Sequence, residues 1–287
     1  METSYLKFWG KAGGVVGAEP AWHPVAYHCL DVAAVADALL VAHPRRLETL
    51  ARLLQTDLYN ARRFAVCLFA LHDIGKFSKH FQAKSPEAWA ESAEEVFGPW
   101  TKPPASRHDA DGYDLRDALS LKTVLRPATA DWSNGEFNVL WAAITGHHGQ
   151  PRNDDSRLFA ANTGLAHKNC QEAAAAFTRD VRALFDPLLP LPEPAKASLE
   201  ILSWLVCGLT VVSDWIGSNR DWFPYRPPEQ TLAEYWDYAQ GKARDAIQKA
   251  GVVPSALSPD MTPQWLYPDF AASLSPLQQH VRDMALV

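Results

Sequence analysis

No CxxC pair occurs in the 287 residues, and the four cysteines (Cys29, Cys67, Cys170 and Cys207) lie far apart. Three of them sit in apolar helical runs, so buried free thiols are expected rather than disulfides or a cysteine zinc site. Basic charge is not in excess either: 27 Lys and Arg stand against 33 Asp and Glu, a net charge of −6. That balance argues against a broad basic face for coating duplex DNA, and not against an enzyme that concentrates positive potential at bound metal ions. The longest apolar run, LEILSWLVCGLTVV at 199–212, is too short and too closely flanked by charge to span a bilayer. The opening METSYLKFWGKAGG lacks the continuous apolar stretch of a signal peptide, and a cytoplasmic protein without membrane partners is expected. Strand-period alternation, internal repeats and low-complexity tracts are also missing.

What remains reads as helix. The stretch 24–43 opens with Pro24, suited to a first helical position, and continues in Ala, Val and Leu. Residues 58–82 carry Phe64, Cys67, Leu68, Leu71, Ile74 and Phe77 at helical spacing, which predicts one long helix. A third helix is expected over 135–149, stopped by Gly149 and Pro151. The stretch 195–219 is apolar nearly all round and predicts the central buried helix. Residues 83–113 begin as an acidic helix and become a Pro-rich loop turning near Asp111-Gly112, and 186–194 (DPLLPLPEP) form a stiff connector. From about 253 the texture changes. The expected organisation is an all-α domain over 1–252 and a separate tail over 253–287.

Ten histidines are unevenly placed. His72 and Asp73 are adjacent within LHDIGK, with Lys76 one turn beyond His72 and on the same face of the expected helix. His147 and His148 are paired at a helix C-terminus, His28 lies in the first helix, and His108 sits in the loop SRHDADGY. Asp214 lies inside an apolar helix, where a carboxylate costs several kcal/mol unless it is paired or bound to a cation. Either a metal or a buried ion pair or cap near Gly217 answers that need. Taken singly, the HD pair, His28 and His108 read as structural residues. The doubled histidine is harder to explain as core filler. His23, His43, His80, His167 and His280 have no supporting context and read as surface or structural.

Together these residues carry more. An HD pair with a lysine, then HH, then a late buried Asp in an all-α chain resembles the HD superfamily of metal-dependent phosphohydrolases. The words YHCLDVAAVA (27–36), LHDIGKFSKHFQ (71–82), ITGHHGQP (144–151) and SDWIGSN (213–219) resemble the HD nuclease domain of the CRISPR-associated helicase–nuclease of type I systems. DWIGSNRDWFPY leans towards subtype I-E. The resemblance covers about residues 5–250.

That resemblance implies an HD-superfamily helical fold with a two-metal site among the core helices. His28, His72, Asp73 and Asp214 would hold one ion. Asp73 would bridge to a second held by His108, His147 and His148. Four protein bonds per ion leave positions open for water and a phosphate oxygen, as a catalytic site requires. Five imidazoles favour iron, manganese, cobalt or nickel over magnesium. The implied chemistry is in-line hydrolysis of a phosphodiester, with Asp73 and Lys76 as catalytic residues and Lys76, Ser213 and Ser218 meeting the phosphate. The implied substrate is single-stranded DNA displaced by a guide complex, and Trp215, Trp222, Phe223 and Tyr225 could stack its bases. The implied partners are the large subunit of the Cascade complex and helicase domains in the same or another chain.

The tail YPDFAASLSPLQQHV (267–281) resembles the glutamine motif that precedes a RecA-like helicase domain. The phosphate-binding loop expected to follow it, GxxxxGK[ST], is not among the 287 residues, which leaves Gln278 without a nucleotide pocket to serve. The expectation is the nuclease portion of a larger enzyme, or a natural form without the helicase. Two other readings compete: a phosphohydrolase acting on nucleotides, and a non-cleaving module that docks on Cascade.

Overall fold

A computed structural model describes residues 4–13, 20–104, 107–126, 128–148, 168–186, 188–254, 275–277 and 280. The chain divides into a first unit, Met1–Val253, and a second, Pro254–Val287. Gln278 and most of the glutamine-like tail lie outside the described residues, as do Gly149, Pro151 and His167.

Among the described residues the first unit is helical, as expected, with one small exception. Trp9–Ala12 (β1) and Trp22–Pro24 (β2) form an antiparallel hairpin with an irregularity between Trp9 and Lys11. Gly10 sits at that irregularity, and a Cβ there would lie 2.8 Å from Val25 Cα. Only a residue without a side chain lets the strand press so closely on the start of the next helix. Strands this short leave no alternation to read in the sequence.

That helix, α1 (Val25–Ala42), runs straight out of β2. Its Val25 N–H donates to Phe8 O at 2.8 Å, so the hairpin supplies a cap that no side chain provides. Nearly every residue of α1 is buried, because the small Ala33, Ala34 and Ala36 let neighbours approach from all sides. It packs against α3 (Leu58–Phe69), α7 (Lys196–Gly217) and α8 (Leu232–Lys249). The central helix is thus α1, not the 195–219 stretch that its apolar texture predicted.

α7 keeps one face open, with Trp204 76% and Trp215 74% exposed. Its 22 residues are long and apolar enough, by length and composition alone, to cross a membrane, as are those of α1; the shorter run seen in the sequence understated this. Between α1 and α3 lies α2 (Pro44–Leu54), closed by Gln55 in a left-handed conformation. Asp57 then caps α3 by accepting from Asn60 N–H at 2.8 Å.

Two further expectations are corrected. Residues 58–82 are not one helix: α3 ends at Phe69, a turn follows, Ile74–Phe77 form a 3₁₀ turn, and Lys79–Gln82 form a short helix capped by Ser78. Leu71, Ile74 and Phe77 still point into the core, so the apolar spacing looked continuous although the backbone was not. From His108 on, the expected loop is instead helical: His108–Ala118 form a helix, α4, with Asp109 and Asp111 favourably placed in its first turn. The remaining long helices among the described residues are α5 (Asn134–Thr145) and α6 (Lys168–Leu184). Residues 188–195, before α7, are non-helical, and Trp132 Nε1 donates to both Leu191 O and Pro192 O. All four cysteines are free; Cys29, Cys67 and Cys170 are buried and Cys207 is partly so.

Candidate metal centre

Three close approaches bring the polar residues together. Gly217, at the end of α7, lies so near α1 that a Cβ would meet Val32 N and Cγ2 at 3.1 Å, which draws Asp214 towards His28. Gly75 in the 3₁₀ turn abuts α4: a Cβ there would fall 1.8 Å from His108 O and 2.4 Å from Gly112 N. Gly75 is not at positive φ, so glycine is required there for space rather than for torsion. Trp141 Nε1 donates to Gly112 O at 3.1 Å and fixes α5, and with it His147, against the same crossing.

The result is two adjoining groups of donor atoms, each within 4.8 Å: His28, His72, Asp73 and Asp214, all buried, and His108, His147 and His148, of which His147 is buried, His108 partly so and His148 exposed. Asp73 stands between them. Its Oδ2 faces His28 Nε2 at 3.0 Å, His72 Nε2 at 3.3 Å and Lys76 Nζ at 2.5 Å. Its Oδ1 faces His108 Nε2 at 3.2 Å and His147 Nε2 at 3.5 Å. Asp214 Oδ1 lies 3.4 Å from His28 Nε2 and 3.9 Å from His72 Nε2, and His148 Nε2 lies 3.0 Å from His108 Nε2. Lys76 reaches Asp73 across the 3₁₀ turn, three residues on, not along the face of an α-helix as the sequence suggested.

The donor chemistry fits divalent cations. His72 Nδ1 donates to Phe69 O at 3.0 Å, and His147 Nδ1 to Ile144 O at 3.1 Å. That leaves each Nε2 with a lone pair aimed at the cluster, the orientation that metal-ligating histidines adopt. Both Nε2 atoms and Asp73 Oδ1 are buried and have no hydrogen-bond partner among the described residues. Buried polar atoms are rarely left so, and several converging on one point mark a place for a ligand.

Electrostatics agree. Burial, with Lys11 and Lys76 nearby, pushes His28 down to about 3. Burial, with His72 adding to it, brings His147 down to about 4. Burial alone would raise Asp73, but Lys76, His72 and His108 hold it well below the usual carboxylate range. Asp214 is likewise held low against burial, chiefly by its hydrogen bond with His28. Burial would lower Lys76, yet Asp73 and Asp214 raise it. At neutral pH the groups are therefore neutral His28 and His147, two carboxylates and a charged ammonium, the protonation states that metal binding demands.

All seven expected ligands are brought together. Of the expected phosphate contacts, Ser218 Oγ donates to Asp214 Oδ1 at 2.9 Å, whereas Ser213 Oγ is fully buried with no hydrogen-bond partner among the described residues. Of the four aromatics offered as base-stacking candidates, only Trp215 is freely exposed. Phe223 is buried, Trp222 packs against the core and Tyr225 stacks on His23 with ring centroids 5.6 Å apart. His23 is a core residue paired with Asp31 at 3.1 Å, and His43 Nε2 contacts Val252 O at 2.7 Å.

Lys11 was not foreseen from the sequence. Its Nζ donates to Ser218 Oγ at 2.7 Å and lies 3.9 Å from Asp214 Oδ1. Burial and the neighbouring Lys76 lower it to about 8. Nothing in its surroundings along the chain sets it apart from a surface lysine.

The chain is similar to known proteins. The family described as Cas3, HD domain matches residues 9–223. The CRISPR-associated endonuclease/helicase Cas3 of Thermus thermophilus is 30% identical over 255 residues, covering 88% of this chain and 26% of the relative. The enzyme of the same name from Escherichia coli K12 is 28% identical over 271 residues, covering 86% and 30%. This chain thus spans less than a third of the curated relatives it matches. The crystal structure of the Thermus thermophilus cas3 HD domain in the presence of Ni2+ superposes with a TM-score of 0.61 at 25% identity, over 88% of this chain and 94% of that one.

Proposed function

The chain belongs to the Cas3 HD domain family, and on that premise we propose that it is a metal-dependent nuclease of type I CRISPR interference, of subtype I-E, hydrolysing phosphodiester bonds in single-stranded DNA. The observation that carries this reading is Asp73, one carboxylate with a different oxygen turned to each of two histidine groups. A structural carboxylate needs one partner, whereas a bridge between two ions needs this arrangement. The ligands assigned to the inner ion are His28, His72, Asp73 and Asp214, and those assigned to the outer ion are Asp73, His108, His147 and His148.

Two divalent ions bound there would supply Lewis-acid activation of water and of a phosphate oxygen. Imidazole-rich donors favour iron, manganese, cobalt or nickel, and the crystallised Thermus domain was obtained with Ni2+. The protein's own residues do the rest. Phe69 O and Ile144 O hold His72 and His147 in the tautomer that offers Nε2. Lys76 donates to a non-bridging phosphate oxygen and stabilises the charge that grows there as the water oxygen bonds to phosphorus. The bond from phosphorus to the leaving sugar oxygen breaks in line, and the water's proton passes to that oxygen. Ser218, beside Asp214, and the buried Ser213 are candidates for orienting the phosphate.

The proposed partners are the large subunit of the Cascade complex, which opens the target, and helicase domains in the same or another chain. The relatives' name, endonuclease/helicase, and their greater length support the second. The proposed place of action is the cytoplasm, where a guide complex meets invading DNA.

The test is metal content and cleavage by the wild type and Asp73→Asn, offered circular single-stranded DNA and nucleoside phosphates. Two ions per chain and cleavage of the circle, both lost in the variant, are expected. Hydrolysis of the nucleotides alone would make the chain a nucleotide phosphohydrolase. Binding to Cascade with no cleavage of either would make it a docking module.

A further inference from the structure

The buried ligands are not the first groups an incoming strand meets. His28, His72 and Asp73 are closed off, while the Lys11 side chain is 27% exposed and that of Asp214 is 11% exposed. On this side of the site, Lys11, Asp214 and Ser218 form its rim.

Lys11 is held there by construction. The Gly10 irregularity re-aims the strand just before it. The strand is then locked by Gln82, a fully buried side chain that acts as an extra strand partner. Gln82 Oε1 accepts from Trp9 N–H at 3.1 Å, and its Nε2 donates to Trp9 O at 2.8 Å and to Lys76 O at 2.8 Å. Trp9 Nε1 donates back to Gln82 O at 2.9 Å. One amide therefore sets the register between the strand carrying Lys11 and the turn carrying Lys76. A second tether, Arg220 Nη1 to Gly13 O at 3.1 Å, ties the end of the strand to the segment after Asp214.

An ammonium fixed beside metal ligands is out of place unless an anion joins it. Lys11 Nζ donates to a neutral hydroxyl, that of Ser218, and an ammonium has three protons to give. Once cations take up the charge of Asp214 and Asp73, Lys11 loses the stabilisation those carboxylates give it, and negative charge arriving from solution restores it. We propose that Lys11 is a second phosphate-contacting cation of the site, held in register with Lys76 by Gln82, and that it binds the backbone of the substrate strand. This rests on the nuclease reading above.

The experiment measures binding of the metal-loaded full chain to a short single-stranded oligodeoxythymidylate at several salt concentrations, by fluorescence anisotropy, with metal content determined in parallel. For each phosphate that the protein no longer neutralises, the slope of log K against log salt falls by about 0.7 on a single strand. Lys11→Met is expected to lower that slope by about this amount and to weaken binding, with metal content unchanged, and Lys11→Arg is expected to restore the slope. An unchanged slope in Lys11→Met overturns the proposal, even if affinity falls, because a purely structural role does not change the number of counterions released. Loss of metal in that variant also overturns it, since Lys11 would then act through Asp214. If the wild type binds and cleaves DNA but the variant behaves identically, only this inference fails. If the wild type does not bind the strand at all, the nuclease reading fails with it.

Discussion

Replacing Gly75 by alanine tests how the two histidine groups are held together. The added Cβ would lie 1.8 Å from His108 O and 2.4 Å from Gly112 N, where an ordinary carbon–oxygen contact needs about 3.3 Å. Both neighbours are backbone atoms, so no side-chain rotation relieves the overlap. α4 must retreat by about 1.5 Å, or the 3₁₀ turn must be rebuilt. A retreat of that size carries His108 Nε2 from 3.2 Å to roughly 4.5 Å from Asp73 Oδ1 and disturbs its 3.0 Å approach to His148. Overpacking by a methyl group costs about 1–3 kcal/mol, and a backbone-on-backbone clash this deep belongs at or above the upper end. Gly75→Ala should therefore lose about 3 kcal/mol in urea unfolding. It should hold one metal ion rather than two, because His28, His72 and Asp214 do not lie on α4. Stability and a two-ion stoichiometry both unchanged from wild type would refute the reasoning.

Other outcomes follow from the same geometry. Asp73→Ala should lose both ions and essentially all cleavage, while His148→Ala, the most exposed ligand, should weaken only one ion; titration with Mn2+ followed by metal analysis separates them. Metal-free protein should lose stability as pH falls. The unfolded chain takes up imidazole protons near 6.5, whereas His28 and His147 do so only near 3 and 4, so the unfolded state binds more protons in between. That difference costs on the order of 1 kcal/mol per pH unit for each histidine, and below the ordinary carboxylate range Asp73 and Asp214 act in the same direction. Urea midpoints that stay flat from pH 7 to 5 would contradict this. Tyr235→Phe removes the hydroxyl that donates to buried Asp31 Oδ1 at 2.9 Å and should cost about 1–3 kcal/mol in thermal or urea unfolding, with no change in metal content.

The ligand types were legible because each is costly to bury without a partner, and because their order along the chain matches a known pattern. His28, His147, His148 and Asp214 all sit where the helical reading put them, inside or just beyond α1, α5 and α7. The local backbone at LHDIGK was not legible. A 3₁₀ turn buries Leu71, Ile74 and Phe77 about as an α-helix would, so apolar spacing could not report that the helix stops at Phe69. The loop expected at SRHDADGY failed for a related reason. Gly112, read as a turn residue, is instead a place where a helix meets the 3₁₀ turn backbone to backbone.

By itself the sequence determined that the chain is helical, that it carries seven metal-type side chains, and that Lys76 follows the HD pair. Those properties depend on residue chemistry and local spacing. Tertiary structure alone decided which oxygen of Asp73 faces which histidines, that α1 rather than α7 is enclosed, and that Lys11 joins the site from a hairpin. Each of these rests on an approach between segments far apart in the chain, at Gly10, Gly75 and Gly217. Spacing along the backbone carries no information about how closely such segments meet.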